Sequence, residues 1–571
     1  MLDIIPPLLR LACDGLLGYV VLFVLWKKGS ARWANWFPLF QKAAQIILWI
    51  LAIGVILYGL GVLAEKDVIF QQGLIAFCFG AGILPLVNQF GDKKKADRHE
   101  RGASVASSAK VRAMIKKEKL GYDLVWGKVP IPHKAEPYHI LVAGSTGAGK
   151  SVAITELLDT IRKRGDTALI VDSGGEFMSR LWREKTDYML NPFDSRCVPW
   201  SPTADLEGPW DAESLARSII PDGTGESKEW NGYAQTFLTS CLQALFEKNK
   251  KSLSDLLYVV QVAPIAELVE LLAGTPAAAQ LTSDKTFGSI RTIASKYMSA
   301  YNYLQSSEKP FSVSKFIKET KDGFLFLTYR DDQLDSLRNL ISCVLDISAR
   351  TILSLEPNST RRVWLVIDEF ASIGKVQSIE TVATKARKVG GCLVIGIQSI
   401  SQLKESYGEH SAQSILSCLS SWLVLRCADA DTAEYMSKYL GEEEVVRTSG
   451  GSSTSESGGS TSWSEQTATQ RIVLASEIQK LPNVVGFLKI AGHYPVCEIT
   501  LDFPPRKEKA AATFEMRNYE KNPMIKLKAP VVTGEPNGNS PIAAAEQVAA
   551  PEMPKRTILL RRTQVPPNPI S

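Results

Sequence analysis

Residues 138–165, which read YHILVAGSTGAGKSVAITELLDTIRKRG, contain the feature that decides the fold. Residues 138–143 form a short apolar run of the kind that builds a buried β-strand, and a helical pattern follows Ser151. Between them, GSTGAGKS at 144–151 has the spacing GxxxxGK[ST] in the strand–loop–helix context that a phosphate-binding loop requires. Its glycines let the backbone wrap around a phosphate, so that successive N–H groups and the helix N-terminus face the anion. The sequence therefore predicts a P-loop nucleotide-binding domain.

The loop residues are predicted to share the binding of ATP and Mg²⁺. Lys150 is expected to reach the β- and γ-phosphates, and the hydroxyl of Ser151 is expected to hold Mg²⁺. The other loop residues are predicted to line the phosphates, with Thr146 and Gly147 supplying backbone donors: Gly144, Ser145, Thr146, Gly147, Ala148 and Gly149. A chance match in a structural loop is the alternative, and the fitting flanks argue against it.

Two further strand-like runs carry polar residues at their carboxyl ends. Residues 362–367 (RVWLVI) end in Asp368 and Glu369, and residues 392–397 (CLVIGI) end in Gln398. Parallel strands place their carboxyl ends at the edge where the phosphate loop also lies. We therefore expect Asp368 to support the water shell of Mg²⁺ and Glu369 to orient and polarise the attacking water. Gln398 is expected to sense the γ-phosphate, as polar strand-end residues do in ATPases of the RecA type. Solvated residues at strand ends are the alternative reading of these positions.

A basic segment at 376–390 supplies a candidate for a residue donated by a neighbouring subunit. The segment is helical in pattern and contains Lys385, Arg387 and Lys388. A hydrolytic site at a subunit interface commonly takes an arginine from the neighbour to stabilise charge on the transferred phosphoryl group. Arg387 is the candidate for this role, and an exposed basic helix face is an equal competitor.

The remaining patterns predict an α/β fold with a mostly parallel sheet, because strand candidates alternate with helical stretches. Further strand candidates lie at 168–171, 324–328, 422–425 and 487–490. From residue 200 to 303 amphipathic stretches dominate, which predicts an all-α domain inserted into a nucleotide-binding domain at 131–199 and 304–505. Within the insertion, Trp230 and Tyr233 are at helical spacing and are expected in the core more often than as platforms for base stacking.

Two segments are predicted to lack regular structure. Residues 449–469 are rich in Gly and Ser, which indicates a flexible loop rather than an element. Residues 506–571 are rich in Pro, Ala and charge, which predicts a disordered tail.

The first 91 residues are predicted to form a transmembrane helical region. The apolar stretches 45–64 and 68–90 are long enough to span, whereas 7–26 contains Arg10 and Asp14, so that its crossing stays open. Basic residues flank this hairpin on both sides, which places the flanks and the remaining chain in the cytoplasm.

The net charge of +5 arises from a single segment of the chain. The basic linker at 92–130 begins with a run, 92–119, in which ten basic residues face four acidic ones. Composition therefore does not support a broad surface that coats nucleic acid. The run is expected to fix the topology and to touch anionic lipid, and a collar at a DNA entrance is the alternative. Nine cysteines occur without CxxC or zinc spacing, which indicates reduced, buried thiols.

Taken together, these segments resemble the type IV secretion coupling proteins of bacterial conjugation, the TraD/TrwB-like group. The matching segments follow the order of that family: GSTGAGKS at 144–151, VDSGGEF at 171–177, LNPFDSR at 190–196, WLVIDEF at 364–370, ARKVGGCLVIGIQSISQLKESYG at 386–408 and LRCADADTAEYMSKYLG at 425–441. The stretch at 386–408 is more specific than the phosphate-loop motif, which many ATPases share.

The resemblance implies a homohexameric inner-membrane ATPase that brings single-stranded DNA with its bound relaxase to the components of a type IV secretion channel. It also implies one composite ATP site, formed by Lys150, Asp368, Glu369, Arg387 and Gln398. The helical insertion would be the all-α domain of the family. Some members carry a further arginine before the first strand, where this chain reads HKAE at 133–136, so no such role is assigned.

Two other functions compete with this interpretation. An FtsK/HerA-like motor would pump double-stranded DNA, but such motors usually end in a winged-helix DNA reader, which the Pro-rich tail does not suggest. A nucleotide-gated membrane docking protein would recruit substrates with little hydrolysis. The presence of Glu369 argues against it, because a protein that does not hydrolyse ATP could dispense with this acid.

Overall fold

The computed structural model describes residues 98–455, 458–502, 509–521, 523–525 and 527. The membrane spans predicted at 45–64 and 68–90 lie outside these residues, as do the apolar stretch 7–26, whose crossing was left open, and most of the predicted tail. Within the described ranges, no helix combines the length and the apolar character that crossing a bilayer requires.

The described residues form fifteen strands and fifteen α-helices. The strands are β1 (Arg98–Gly102), β2 (Val105–Ser107), β3 (Tyr122–Trp126), β4 (Val129–Pro132), β5 (Ile140–Ala143), β6 (Thr167–Ser173), β7 (Tyr188–Met189), β8 (Phe324–Tyr329), β9 (Val363–Ile367), β10 (Gly391–Ile397), β11 (Ser421–Val424), β12 (Glu442–Ser455), β13 (Gly458–Arg471), β14 (Val485–Lys489) and β15 (Val496–Thr500). The helices are α1 (Ser108–Lys117), α2 (Lys150–Arg164), α3 (Glu176–Leu181), α4 (Asp211–Ile219), α5 (Glu226–Glu247), α6 (Leu253–Leu257), α7 (Ile265–Leu271), α8 (Asp284–Tyr297), α9 (Val313–Glu319), α10 (Leu334–Leu353), α11 (Ile379–Lys385), α12 (Ile400–Tyr407), α13 (Glu409–Cys418), α14 (Ala430–Leu440) and α15 (Ala475–Lys480).

The large sheet has the strand order β2–β15–β14–β11–β5–β10–β9–β6–β8–β7. The block from β11 to β7 is parallel throughout, whereas β14 runs antiparallel to both of its neighbours. The predicted α/β fold with a mostly parallel sheet is therefore confirmed. β14 matches the strand candidate at 487–490, whereas β15 and the antiparallel pairing of these two strands were not predicted.

Both faces of this sheet are covered, which explains why its strands are apolar at successive positions. Ile140 and Val142 of β5 belong to a hydrophobic cluster that includes Leu158 of α2. Leu141 and Ala143 belong to a second cluster, which includes α10 and the helices between β7 and β8. Alternate residues of one strand thus enter cores on opposite faces, and the phosphate loop at the end of β5 is held from both sides.

The segment from 200 to 303 contains helices α4 to α8, joined by short 3₁₀ and π turns, and no strand among its described residues. Trp230 and Tyr233, which we expected in the core, are each 39% exposed and contact each other edge to face. That expectation is wrong because α5 buries a different stripe, with Ala234, Phe237 and Cys241 at its centre. The two aromatic side chains lie just outside this stripe.

Residues 98–102 and 443–470 form a separate compact unit. In it β1 pairs antiparallel with β12, and β13 follows on the other side of β12. Arg101 forms an ion pair with Glu444 at 2.7 Å. The prediction of a flexible loop at 449–469 is wrong, because β12 and β13 occupy this stretch. A strand needs only extended backbone and a pairing partner, and neither requirement is visible in a Gly/Ser-rich composition.

The start of the predicted tail belongs to the folded body. Arg517 is 2% exposed, and Ile525 and Leu527 pack against the larger hydrophobic cluster. The boundary predicted at residue 506 is therefore too early for residues 509–521, 523–525 and 527.

Glu156 on α2 leads to a prediction about pH and stability. Burial raises the pKa of this carboxyl from 4.5 to about 7, and Asp502 adds to the effect against two opposing backbone hydrogen bonds. A carboxyl whose pKa is raised on folding stabilises the fold fully below its unfolded pKa, and this contribution is lost as the pH rises through the folded pKa. We expect Glu156→Gln to be more stable than the wild type by about 1–2 kcal/mol at pH 8, after allowance for solvent screening, and by much less at pH 5.

Denaturant unfolding of the full chain at pH 5 and pH 8 measures this difference. Glu247→Gln, at an exposed carboxyl on the last turn of α5, is the control and should change little at either pH. A stability difference between Glu156→Gln and the wild type that is equal at both pH values would contradict the prediction.

Candidate nucleotide-binding site

The loop between β5 and α2 has the backbone of a phosphate cradle. Gly147 and Gly149 have φ values of +74° and +115°, a region that side chains with a Cβ rarely adopt. A Cβ at Gly147 would meet no atom within 4 Å, so this turn faces open space. Two backbone hydrogen bonds fix the loop to neighbouring elements. The Gly144 N–H donates to Ile397 O at 3.1 Å, and the Ser145 N–H donates to Arg426 O at 2.8 Å. The loop is therefore preorganised for an anion at the start of α2.

Lys150, the first residue of α2, lies inside this cradle. Its side chain is almost buried, and Nζ donates to the carbonyl of Gly144 at 3.0 Å. The same Nζ lies 3.7 Å from Oε2 of Glu369. A cation in this position faces both the phosphate loop and the acidic end of β9, as the sequence predicts for a residue that contacts terminal phosphates.

Asp368 directly follows β9, and its oxygen chemistry fits a divalent cation. Its Oδ1 is buried and has no hydrogen-bond partner in the described part of the chain. Burial raises the pKa of Asp368 to about 6, and the Lys150 ammonium opposes this. Asp368 and Ser151 both line the same cleft, and their carboxylate and hydroxyl groups are hard oxygen ligands of the kind that Mg²⁺ prefers. The residues present therefore fit a magnesium ion.

Gln398 connects the phosphate loop to the second acid of the pair. Its Nε2 donates to Oε2 of Glu369 at 2.6 Å, and its Oε1 accepts a hydrogen bond from the Thr146 hydroxyl at 2.9 Å. Burial raises the pKa of Glu369, while Lys150 and the bond from Gln398 lower it. The structure thus brings Lys150, Glu369, Gln398 and the phosphate loop together at one edge of the sheet.

The cleft around these groups has a volume of about 610 Å³. It also contains residues that the sequence reading missed: Ser173, Tyr329, Asp331, Leu334, Ser372, Asn483 and Val484. The Tyr329 hydroxyl lies 3.1 Å from Ser372 Oγ, which donates to the carbonyl of Glu369 at 2.9 Å. Ser173 and Tyr329 end β6 and β8, so the position of strand ends could have identified them. Asn483 precedes β14 in a loop that gives no such signal.

Arg387 is the predicted site residue that the structure does not bring to the cleft of its own chain. It is exposed, and its guanidinium lies 4.0 Å from the ring centroid of Tyr138. Tyr138 precedes the amino end of β5, whereas the phosphate loop follows the carboxyl end, about 13 Å along the strand. Within one chain Arg387 therefore lies at the opposite edge of the sheet from the phosphate loop.

The position of Gln398 predicts the effect of removing its carboxamide. We expect Gln398→Ala to lower kcat for ATP hydrolysis by about 10–100-fold, because Glu369 loses the donor that fixes its orientation. ATP affinity should change little, since the phosphate loop and Lys150 stay in place. Steady-state kinetics together with binding of a fluorescent ATP analogue separate the two effects.

Gln413→Ala, at an exposed glutamine on α13, is the matched control. A rise in KM with unchanged kcat in Gln398→Ala would show that Gln398 serves ground-state binding instead.

The chain is similar in sequence to proteins of known family. The family model described as "Type IV secretion-system coupling protein DNA-binding domain" matches residues 123–502. The coupling protein TraD of Escherichia coli (strain K12) is 30% identical over 471 residues, which are 78% of this chain and 65% of TraD. The type IV secretion system-coupling protein VirD4 of Bartonella henselae is 27% identical over 287 residues, 48% of this chain and 44% of VirD4. The chain thus spans less than two thirds of the length of either relative.

The bacterial conjugative coupling protein TrwBdeltaN70 has a solved structure that resembles this one with a TM-score of 0.65. The two are 31% identical, and the match covers 73% of this chain and 97% of TrwBdeltaN70. Other structures of TrwB contain the non-hydrolysable ATP analogue ADPNP, or ADP with Mg²⁺.

Proposed function

Because this chain belongs to the family of type IV secretion-system coupling proteins, we propose that it is an ATPase that links a relaxase–DNA complex to a type IV secretion channel. Hydrolysis of ATP drives the transfer of DNA in conjugation. One observation carries the hydrolytic part of this proposal: Glu369 lies within 3.7 Å of Lys150 and 2.6 Å of Gln398 at the mouth of the phosphate loop. A protein that only binds nucleotide has no need for a carboxylate held in this way.

In the proposed reaction each group at the cleft has one task. The backbone N–H groups of the loop and the ammonium of Lys150 bind the phosphates of ATP. Glu369, held by Gln398, orients and polarises the water that attacks the γ-phosphate. Ser151 and Asp368 would hold Mg²⁺, which neutralises charge on the phosphate oxygens when it is bound. The ADPNP and ADP–Mg²⁺ complexes of TrwB support ATP and Mg²⁺ as the substrate and the metal.

Arg387 is proposed to act on the site of a neighbouring subunit in a homohexamer. Its exposure and its contact with Tyr138, at the far end of β5 from the phosphate loop, support a role in trans rather than in cis. A guanidinium that reaches the γ-phosphate across an interface would stabilise the charge that develops on the transferred group.

We propose the following organisation around this motor. Residues 1–91 anchor the chain in the bacterial inner membrane, and the basic linker follows them. This linker ends before β2 rather than at the predicted residue 130, because β2 pairs with β15 of the large sheet and Val111 and Trp126 lie in the core beneath it. The nucleotide-binding domain predicted at 131–199 and 304–505 therefore begins at β2, and it lies in the cytoplasm together with the all-α insertion at 200–303. The cargo is single-stranded DNA with its bound relaxase, and the membrane partners are components of the secretion channel. The coupling-protein names of the relatives and the DNA-binding family model support these assignments.

Phosphate release by the purified full chain, with and without DNA, tests the proposal. We expect hydrolysis that single-stranded DNA stimulates more than double-stranded DNA does. Stimulation by double-stranded DNA alone would favour an FtsK/HerA-like motor. ATP binding with no release under any condition would favour a docking protein, and either result would overturn the proposed function.

A further inference from the structure

A segment near the carboxyl end of the described chain pairs with the motif LNPFDSR at 190–196. We call this segment, residues 511–521 and 523–525, the strap. Met516 forms an antiparallel bridge with Asp194. On either side of it, the Ser195 N–H donates to Glu515 O at 2.8 Å, and the Arg517 N–H donates to Phe193 O at 3.0 Å. The strap therefore runs alongside the connection that leads from β7 into the helical insertion.

Arg517 joins this connection to the one that leaves the insertion. Its buried guanidinium donates to the carbonyls of Pro192, at 3.3 Å, and of Tyr303. It also donates to Pro523 O at 3.1 Å within the strap, and the Ile525 N–H donates to Asn302 O at 3.2 Å. Residue 192 precedes the insertion and residue 303 is its last residue, so one side chain ties both of its connections together.

Asp194 fixes the strap in register from the other side. This fully buried carboxylate accepts the Glu515 N–H at 3.0 Å and the Arg196 guanidinium at 2.7 Å. Arg196 in turn donates to Ala512 O at 2.9 Å. Hydrogen bonds to buried charged groups are geometrically demanding, so the strap is held as a defined element.

The other end of the strap reaches elements that line the nucleotide cleft. The guanidinium of Arg330 lies 5.3 Å from the ring centroid of Phe514. Arg330 stands between Tyr329 and Asp331, both of which line the cleft. A Cβ at Gly175, in the turn after β6, would overlap the carbonyl oxygen of Thr513. The strap thus contacts the ends of two strands whose carboxyl edges form the cleft.

Because the strap contacts both the elements that line the nucleotide cleft and the two connections of the insertion, we propose that it couples the cleft to the helical insertion. A nucleotide-dependent shift of the turn at 329–331 is passed through Phe514 to Arg517, which sets the position of the two connections. The inference rests on the proposed function only in requiring that the cleft binds ATP.

Hydrogen exchange of the full chain, with and without ADPNP, tests the coupling. The wild type should show protection at 190–196 and 302–303 that increases when ADPNP binds. Arg517→Ala should lose this dependence on nucleotide, Arg517→Lys should restore it in part, and basal ATP hydrolysis should stay within about twofold, since Arg517 does not contact the cleft. Met516→Ala, at a side chain that is 76% exposed in the same segment, should behave as the wild type.

Phe514→Ala provides the second arm, because it removes the ring beside Arg330 and leaves Arg517 in place. Phe514→Ala should also lose the dependence of exchange on ADPNP. If Arg517→Ala does not fold, Phe514→Ala alone tests the coupling. A strap that serves stability alone would raise exchange equally with and without ADPNP, and that result would overturn the proposal. ADPNP is not hydrolysed, so the exchange result stands apart from a failure of the proposed ATPase activity.

Discussion

Substitution of Glu369 by glutamine is expected to lower the rate of ATP hydrolysis by about 10³-fold, because a positioned general base contributes on the order of 10²–10⁴-fold. The amide keeps the size and the hydrogen-bonding reach of the carboxylate, so the link to Gln398 can persist while the base is lost. Nucleotide affinity should stay within a few fold, because Lys150 and the loop amides are untouched. The variant should therefore bind ATP and retain it.

Single-turnover hydrolysis and equilibrium binding of a fluorescent ATP analogue measure the two quantities separately. Glu308→Gln, at an exposed carboxylate outside the cleft, is the control and should match the wild type. Retention of more than a tenth of the wild-type rate in Glu369→Gln would show that another group orients the water.

Lys150→Ala is expected to weaken ATP binding by about 100-fold or more and to abolish measurable hydrolysis. The ammonium lies 3.7 Å from Glu369, and its loss removes the charge that is expected to face the terminal phosphates. Its removal also leaves Asp368 and Glu369 without the cation that lowers the pKa of each. Two partly buried acids that have lost this cation then disfavour a polyanionic ligand still further.

Lys163→Ala, at an exposed lysine on the same helix, is the matched control for Lys150→Ala. Calorimetric titration with ATP and Mg²⁺ gives the affinity of each variant. Wild-type affinity in Lys150→Ala would contradict the assignment of the phosphate loop.

The sequence predicts the centre of the sheet well, because physical rules constrain it strongly. Apolar runs that end in polar residues indicate parallel strands buried on both faces, and every such run lies in the large sheet. The meeting of Glu369, Gln398 and Lys150 follows from the same rule, since carboxyl ends of parallel strands share one edge. At the centre of the sheet, the local sequence pattern and the strand order therefore lead to the same prediction.

The parts that sequence reasoning missed depend on contacts between distant segments. Met516 and Asp194 are separated by more than three hundred residues, and composition alone assigned the strap to a disordered tail. Strands β12 and β13 were missed because pairing partners are not visible in a Gly/Ser-rich stretch. Trp230 and Tyr233 were misplaced because helical spacing alone does not specify which stripe of α5 faces the core.

ATP hydrolysis by this chain is proposed to drive DNA transfer, and the frequency of transfer between cells tests this claim. Donor cells that lack the gene should be complemented by the wild type, Glu369→Gln or Glu308→Gln, with equal amounts of each protein in the membrane. We predict that the wild type and Glu308→Gln restore transfer, while Glu369→Gln leaves it at the level of the deletion. Restoration of wild-type transfer by Glu369→Gln would contradict the claim.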